Sequence, residues 1–193
     1  MAHSSMDRPV LPFRILTLSG SLRAASSNSA LLEAAAVLAP QQLQLVPYRG
    51  WGALPSFNPD LEGAEPAGVL AFRAALRDAD AILIASPEYA HGVPGAFKNA
   101  LDWVVGSGEF INKPVAAINA SGRASHAQSS LLDTLAMMNA DVVLAASLTV
   151  ALPTNKLDCA AMLADAGIAA ALGEALDALQ EHLLSLGLSV NNS

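Results

Sequence analysis

Short, unbroken apolar runs alternate with longer amphipathic stretches along this chain, and that alternation restricts the fold more than any other feature. The runs at 15–18, 44–46, 81–85 ("AILIA"), 115–118 and 142–146 are too short for helices. Apolar side chains at successive positions imply strands covered on both faces. Between them, 28–38, 67–77, 94–105 and 129–138 read as helices, the third with Pro94 near its first turn, where a missing N–H costs nothing. Leu172, Leu176, Leu179, Leu183 and Leu186 recur at spacings of four and three, the apolar stripe of a closing helix. A β-α unit repeated five times predicts a parallel sheet with helices on both faces. Right-handed crossovers then give a three-layer α/β/α sandwich of five strands in the order 2-1-3-4-5.

The chain has 193 residues, 53% hydrophobic and only 14% charged, enough to bury the core of one domain. That domain is expected over 14–187, with a flexible lead at 1–13 and a tail at 188–193. Ten basic against seventeen acidic residues leave a net charge of −7, which speaks against nucleic acid, whose phosphates need a basic face. A single phosphorylated ligand is still admissible, because one arginine and a few backbone N–H groups can hold it. One cysteine, Cys159, allows no internal disulfide and no cysteine metal cage; it reads as a small buried hydrophobe. His3, His91, His126 and His182 lack metal-ligand spacing, so no metal is expected. The opening "MAHSSMDRPVLPF" has no long apolar core, and the Ala-rich runs are interrupted by Asp, Glu, Gly and Pro. The expectation is a cytoplasmic protein without a membrane partner.

In doubly wound sheets, ligands sit beyond the carboxyl ends of the strands. The turns after strands one, three and four, at 19–29, 86–94 and 119–128, are therefore where chemistry is expected. The first, "SGSLRAASSNS", joins a strand to a helix amino terminus, where unpaired N–H groups and the helix dipole favour an anion. Ser21, Ser26 and Ser29 offer hydroxyls, Arg23 a fork of donors, and Asn28 a helix N-cap. The turn matches neither G-x-x-x-x-G-K-[ST] nor G-x-G-x-x-G. On these residues alone, a polar capped turn and an anion cradle are both open.

The second turn narrows the choice. "GSLRAASSN" resembles the G-S-x-R-x-x-S-x-N phosphate loop of the NAD(P)H-dependent FMN reductases, a family that includes chromate, quinone and azo-dye reductases. "PEYAHGVPGAFKNALDW" resembles that family's P-E-Y-N-x-[SG]-[VI]-P-G-x-[LF]-K-N-A-[IL]-D-W segment, and "LPSFNPDLEG" its L-P-x-[YF]-x-x-D-[LV] hinge. The resemblance covers roughly 14–120. It implies a flavodoxin-like fold, a homodimer or homotetramer, FMN as cofactor, and NADPH or NADH as co-substrate. It further implies electron transfer through FMN to a small acceptor such as flavin, quinone, azo dye or metal oxyanion. Ser21, Arg23, Ser26, Asn28 and Ser29 then match the phosphate loop. Pro87, Glu88, Tyr89, His91 and Gly92 match the segment edging the flavin ring. Ser121 and Gly122 fall where the third turn approaches it. The chemistry takes place on the flavin, so no catalytic side chain is expected for hydride transfer. A flavodoxin-like electron carrier inert to NAD(P)H and a flavin-free binding domain are the alternatives.

Two departures stand out. Ala90 occupies a position where the family usually has Asn, and "NASGRASHAQSS" lacks the family's Gly-Gly pair. His91 reads as the rim of the site or as a solvated loop residue. Glu88 reads as a general acid or, preferably, as a carboxylate fixing loop backbone. Arg123 and His126 are candidates for the phosphate of NADPH or for plain surface. Trp103 reads as core or interface, and Phe57, Asn58 and Asp60 as a contact with a partner subunit. Phe97, Leu101, Trp103, Val104 and Val105 put more bulk on one helix than a single face needs, which suggests a helix pair between two copies.

Overall fold

The computed structural model describes residues 12–121 and 125–187. Five parallel strands form one sheet in the order β2-β1-β3-β4-β5: β1 Phe13–Ser19, β2 Leu43–Pro47, β3 Ala81–Ala85, β4 Pro114–Ile118 and β5 Asp141–Val142. The helices are α1 Ser27–Leu38, α2 Ala67–Arg77, α3 Gly95–Val105, α4 Ser125–Met137, α5 Cys159–Ala164 and α6 Ala166–Ser185. The order and the helices on both faces agree with expectation. The expected lead lies outside the described residues up to 11, and β1 already begins at Phe13; the tail, 188–193, also lies outside them.

The continuous apolar strands feed two cores. Phe13 and Ile15 of β1, Ala81, Leu83 and Ala85 of β3, and Ala116 and Ile118 of β4 pack with α1, α5 and α6. The alternate residues, Leu16 and Leu18, Ile82 and Ile84, Val115 and Ala117, pack with α2, α3 and α4. Period-two alternation thus serves both faces at once. Phe97, Leu101, Trp103 and Val104 of α3 are all buried within the chain's own core, so the bulk expected to require a second copy is already covered. Cys159 is only half-buried, at the first turn of α5 behind the cap Asp158.

The last strand differs from expectation. The run 142–146 is a strand only to Val142; Leu144–Ala146 forms a 3-10 turn. Pairing with β4 resumes beyond it, where Asn119 N–H donates to Leu148 and Val150 N–H to Asn119. Inside the bulge the Ser147 hydroxyl accepts the Ala117 N–H at 3.1 Å, so no ladder donor is stranded.

The Gly/Pro-rich hinge between β2 and α2 is clamped onto α3. Asn99 accepts the Phe57 N–H at 2.7 Å and donates to the Pro55 carbonyl at 2.9 Å, imitating a strand's backbone pair. Trp103 donates from its indole to the same carbonyl at 2.8 Å, and Phe57 meets the Trp103 ring edge-on. Asn58 caps the short 3-10 turn Pro59–Leu61 through the Asp60 N–H. Further along, Glu109 is buried beyond α3 and receives 2.9 Å bonds from Arg73 and Arg77 of α2 and a bond from Ser107. Burial pushes its carboxyl up, but the bonds from Ser107 and Arg73, its own N–H and the Arg73 charge together hold it below the usual carboxylate range.

Candidate functional site

At the carboxyl end of β1 the chain turns sharply through Gly20. A β-carbon there would lie 2.4 Å from the Ser86 hydroxyl, so only glycine lets the first and second turns meet; the Gly20 N–H donates to the Ala85 carbonyl at 2.8 Å. The serines then fold the loop on itself. Ser19 Oγ accepts the Ser21 N–H at 3.4 Å and the Ser29 hydroxyl at 2.9 Å, and Ser21 Oγ accepts the Arg23 N–H at 3.3 Å. Ser26, not Asn28, is the N-cap of α1 and accepts the Ser29 N–H at 3.5 Å. Asn28 sits two residues past the cap, in the first turn, 5% exposed, and its carboxamide oxygen has no hydrogen-bond partner.

Across the mouth, Asn119 is buried at the end of β4 and accepts the Ser121 N–H at 3.0 Å. Glu88, on the turn after β3, accepts the Ala127 N–H at 2.9 Å through Oε2, which joins that turn to the first turn of α4. The opposite oxygen, Oε1, lies 3.3 Å from Nδ1 of His91. The backbone-fixing reading of Glu88 thus has a partner, and α4 begins a turn earlier than expected, at Ser125.

These turns enclose a cavity of about 390 Å³, within the range of small-molecule sites. The structure brings Ser21, Arg23, Ser26, Asn28, Pro87, Glu88, Tyr89 and Ser121 together around it. Ser29 lines a neighbouring cavity of about 340 Å³ behind the first turn, shared with Ser21 and Arg23. His91 and Gly92 stand beside the mouth without lining it, and Gly122, like Arg123, lies outside the described residues. Ser86, Asn119, Leu152, Thr154 and Asn155 line the cavity too and escape the motif reading. The last three belong to the turn after the fifth strand. The rule that ligands gather at strand carboxyl ends points there as well, but the edge strand's bulge hides where that end is.

The arrangement suits an anionic group. Arg23 is exposed with no ion-pair partner among the described residues and α1 turns its amino terminus to the loop, while the Asn28 carboxamide oxygen, an acceptor, has no hydrogen-bond partner. No group of three or more His, Cys, Asp or Glu among the described residues could hold a metal ion.

Residues 13–154 match the family model described as NADPH-dependent FMN reductase. The chain is 34% identical over 175 residues to an NAD(P)H-dependent FMN reductase of Pseudomonas aeruginosa, covering 86% of this chain and 93% of that one. It is 41% identical over 114 residues to an NADPH:quinone oxidoreductase of Arabidopsis thaliana, and 37% identical over 114 residues to a 2-hydroxy-1,4-benzoquinone reductase of Burkholderia. These stretches cover 56% and 58% of this chain and span 58% and 62% of those relatives. Among solved structures, the flavoenzyme NAD(P)H:(acceptor) oxidoreductase FerB of Paracoccus denitrificans superposes with a TM-score of 0.67 at 26% identity, over 88% of this chain and 98% of that one.

Proposed function

Since this chain belongs to the NADPH-dependent FMN reductase family, we propose that it binds FMN in the cavity beyond β1, β3 and β4 and passes electrons from NAD(P)H to a small acceptor of the quinone class. The observation that carries the assignment to this cavity is the first turn: a guanidinium with no ion-pair partner among the described residues and a helix amino terminus converge on one side of it.

Bound FMN supplies a flavin that accepts a hydride from the nicotinamide and gives up two electrons. The residues of this chain bind and orient it. Arg23 and the N–H groups at the start of α1 hold the phosphate, with Ser21, Ser26 and Asn28 completing the cradle. Pro87, Glu88 and Tyr89 edge the ring from one turn, Ser121 approaches from another, and Gly122 is assigned to the same turn by resemblance. Ser29 supports the loop through Ser19 rather than touching the ligand. His91 and Gly92 belong to the rim.

We assign residues 14–187 to one reductase domain, expected in the cytoplasm; among the described residues no helix is long and apolar enough to cross a membrane. A homodimer or dimer of dimers is proposed from the family resemblance and from Phe57, Leu70, Val105 and Ile111, which stay exposed on the hinge, α2 and α3 side.

A hydrogen bond to a charged group contributes about 1.5–3 kcal/mol. Arg23→Ala should therefore weaken FMN roughly ten- to a hundredfold, while riboflavin, lacking the phosphate, should bind weakly and be nearly indifferent. Paired fluorescence titrations on apoprotein check this, and equal weakening of both ligands would return the loop to a polar turn. Mixing the loaded protein with NADPH in a stopped-flow instrument should bleach the flavin within seconds; a flavin that stays oxidised marks an electron carrier instead.

A further inference from the structure

The tip of the second turn is a two-residue hairpin. Tyr89 and Gly92 exchange both backbone hydrogen bonds at 3.0 Å, and between them Ala90 and His91 have φ of +51° and +62°. A turn of this hand favours Asn and Gly, because a β-carbon is strained there. The second strained position nevertheless carries a histidine whose side chain is 78% exposed. That ring is held from two sides. Nδ1 is 3.3 Å from Glu88 Oε1, and the ring meets His126 of α4 edge-to-face, with centroids 4.7 Å apart and planes at 87°. Since Glu88 Oε2 also accepts the Ala127 N–H, one carboxylate seats the loop, the helix start and the first imidazole together. Glu88 and Tyr89 line the cavity, and His91 and His126 flank that turn without lining it.

We propose that His91 and His126 form the acceptor-side proton donor of this site; the proposal rests on the FMN-reductase reading. Reducing a quinone to a hydroquinone takes one hydride, with its electron pair, and one proton. The hydride comes from the reduced cofactor. The proton comes from the imidazole pair: an imidazolium N–H bond breaks, an O–H bond forms on the anionic oxygen of the reduced quinone, and the neutral ring recovers its proton from water. With Nδ1 of His91 turned to Glu88, Nε2 is the nitrogen left for transfer. Among the described residues, Glu88 from the turn after β3 is the charged group that faces the pair, and the two rings face each other. The edge-to-face contact with His126 fixes the plane of the His91 ring.

The test uses FMN-loaded protein, reduced with a stoichiometric amount of dithionite and mixed anaerobically with benzoquinone or with ferricyanide. Ferricyanide takes electrons without a proton. The expected result is a fall in the ratio of quinone to ferricyanide reoxidation rates, on the order of a hundredfold or more, in both His91→Asn and His126→Gln. Asn tolerates positive φ, so the first variant keeps the turn. In apoprotein followed by NMR, His126→Gln should also move the ring resonances of His91, which lose their edge-on neighbour. An unchanged rate ratio in either variant, or His91 ring resonances indifferent to the loss of His126, overturns the proposal. A flavin that NADPH fails to reduce overturns the reductase reading alone, since dithionite still allows the rate ratio to be measured; a chain that takes up no FMN overturns both.

Discussion

Ala90 carries a conformational cost with an address. At φ +51° its β-carbon crowds the backbone, a strain of about 1–2 kcal/mol for an ordinary L-residue. Asn relieves that strain because its short polar side chain settles in this region. Ala90→Asn should therefore raise stability by about 1 kcal/mol, or roughly 2–4 °C in melting temperature for a chain of this size. A thermal melt reads the sign directly, and a lower melting temperature would mean that the hairpin bears no such strain. The first turn shows how far single residues can be read from sequence. Arg23, Ser21, Ser26 and Asn28 stand out by type and spacing, and all four line the cavity. The exchange of roles between Ser26 and Asn28 is not legible, because either residue caps a helix well and only the backbone dihedrals decide where the helix starts.

Among the elements, α2 and β3 fall where the sequence puts them, at Ala67–Arg77 and Ala81–Ala85, since Pro66 opens the helix and the strand is apolar throughout. The last strand is less legible. An edge strand pairs on one side only, so a bulge at Leu144–Ala146 costs few hydrogen bonds, and "VVLAA" gives no sign of it. The link from α2 to the segment after α3 lies beyond sequence reading too, because Arg73 and Glu109 are thirty-six residues apart. Its energetics are testable. The Glu109 carboxyl sits below its ordinary range in the folded chain, so its contribution is present above the unfolded value, about 4.3, and is lost as pH falls through the folded one. Wild type should lose more stability than Glu109→Gln as pH falls below about 4.3. At neutral pH that variant should be destabilised by about 1.5–3 kcal/mol, having given up charged bonds with Arg73 and Arg77. Denaturant titrations at each pH supply both numbers, and parallel pH profiles would show that Glu109 is not the group responsible.

At the scale of the whole molecule, the β-α alternation and the handedness of crossovers restrict the sheet to a doubly wound order, and the observed pairing is the expected 2-1-3-4-5. Assembly is harder to read. Of the α3 side chains that suggested a partner, Phe97, Leu101, Trp103 and Val104 are buried at home while Val105 stays exposed, and apolar residues alone do not say whether a helix covers its own core or another's. Sedimentation at micromolar concentration should still give a dimer or larger, and a lone 19.8 kDa species would refute it. The sheet order also sets a timetable for synthesis. β1 lies between β2 and β3, and Ile15 pairs with Ala81. As the chain leaves the ribosome, β1 can find β2 early, but its other edge stays bare until β3 has emerged. For that interval an apolar edge faces the cell uncovered, a window in which a chaperone has something to hold and a second nascent copy has something to pair with.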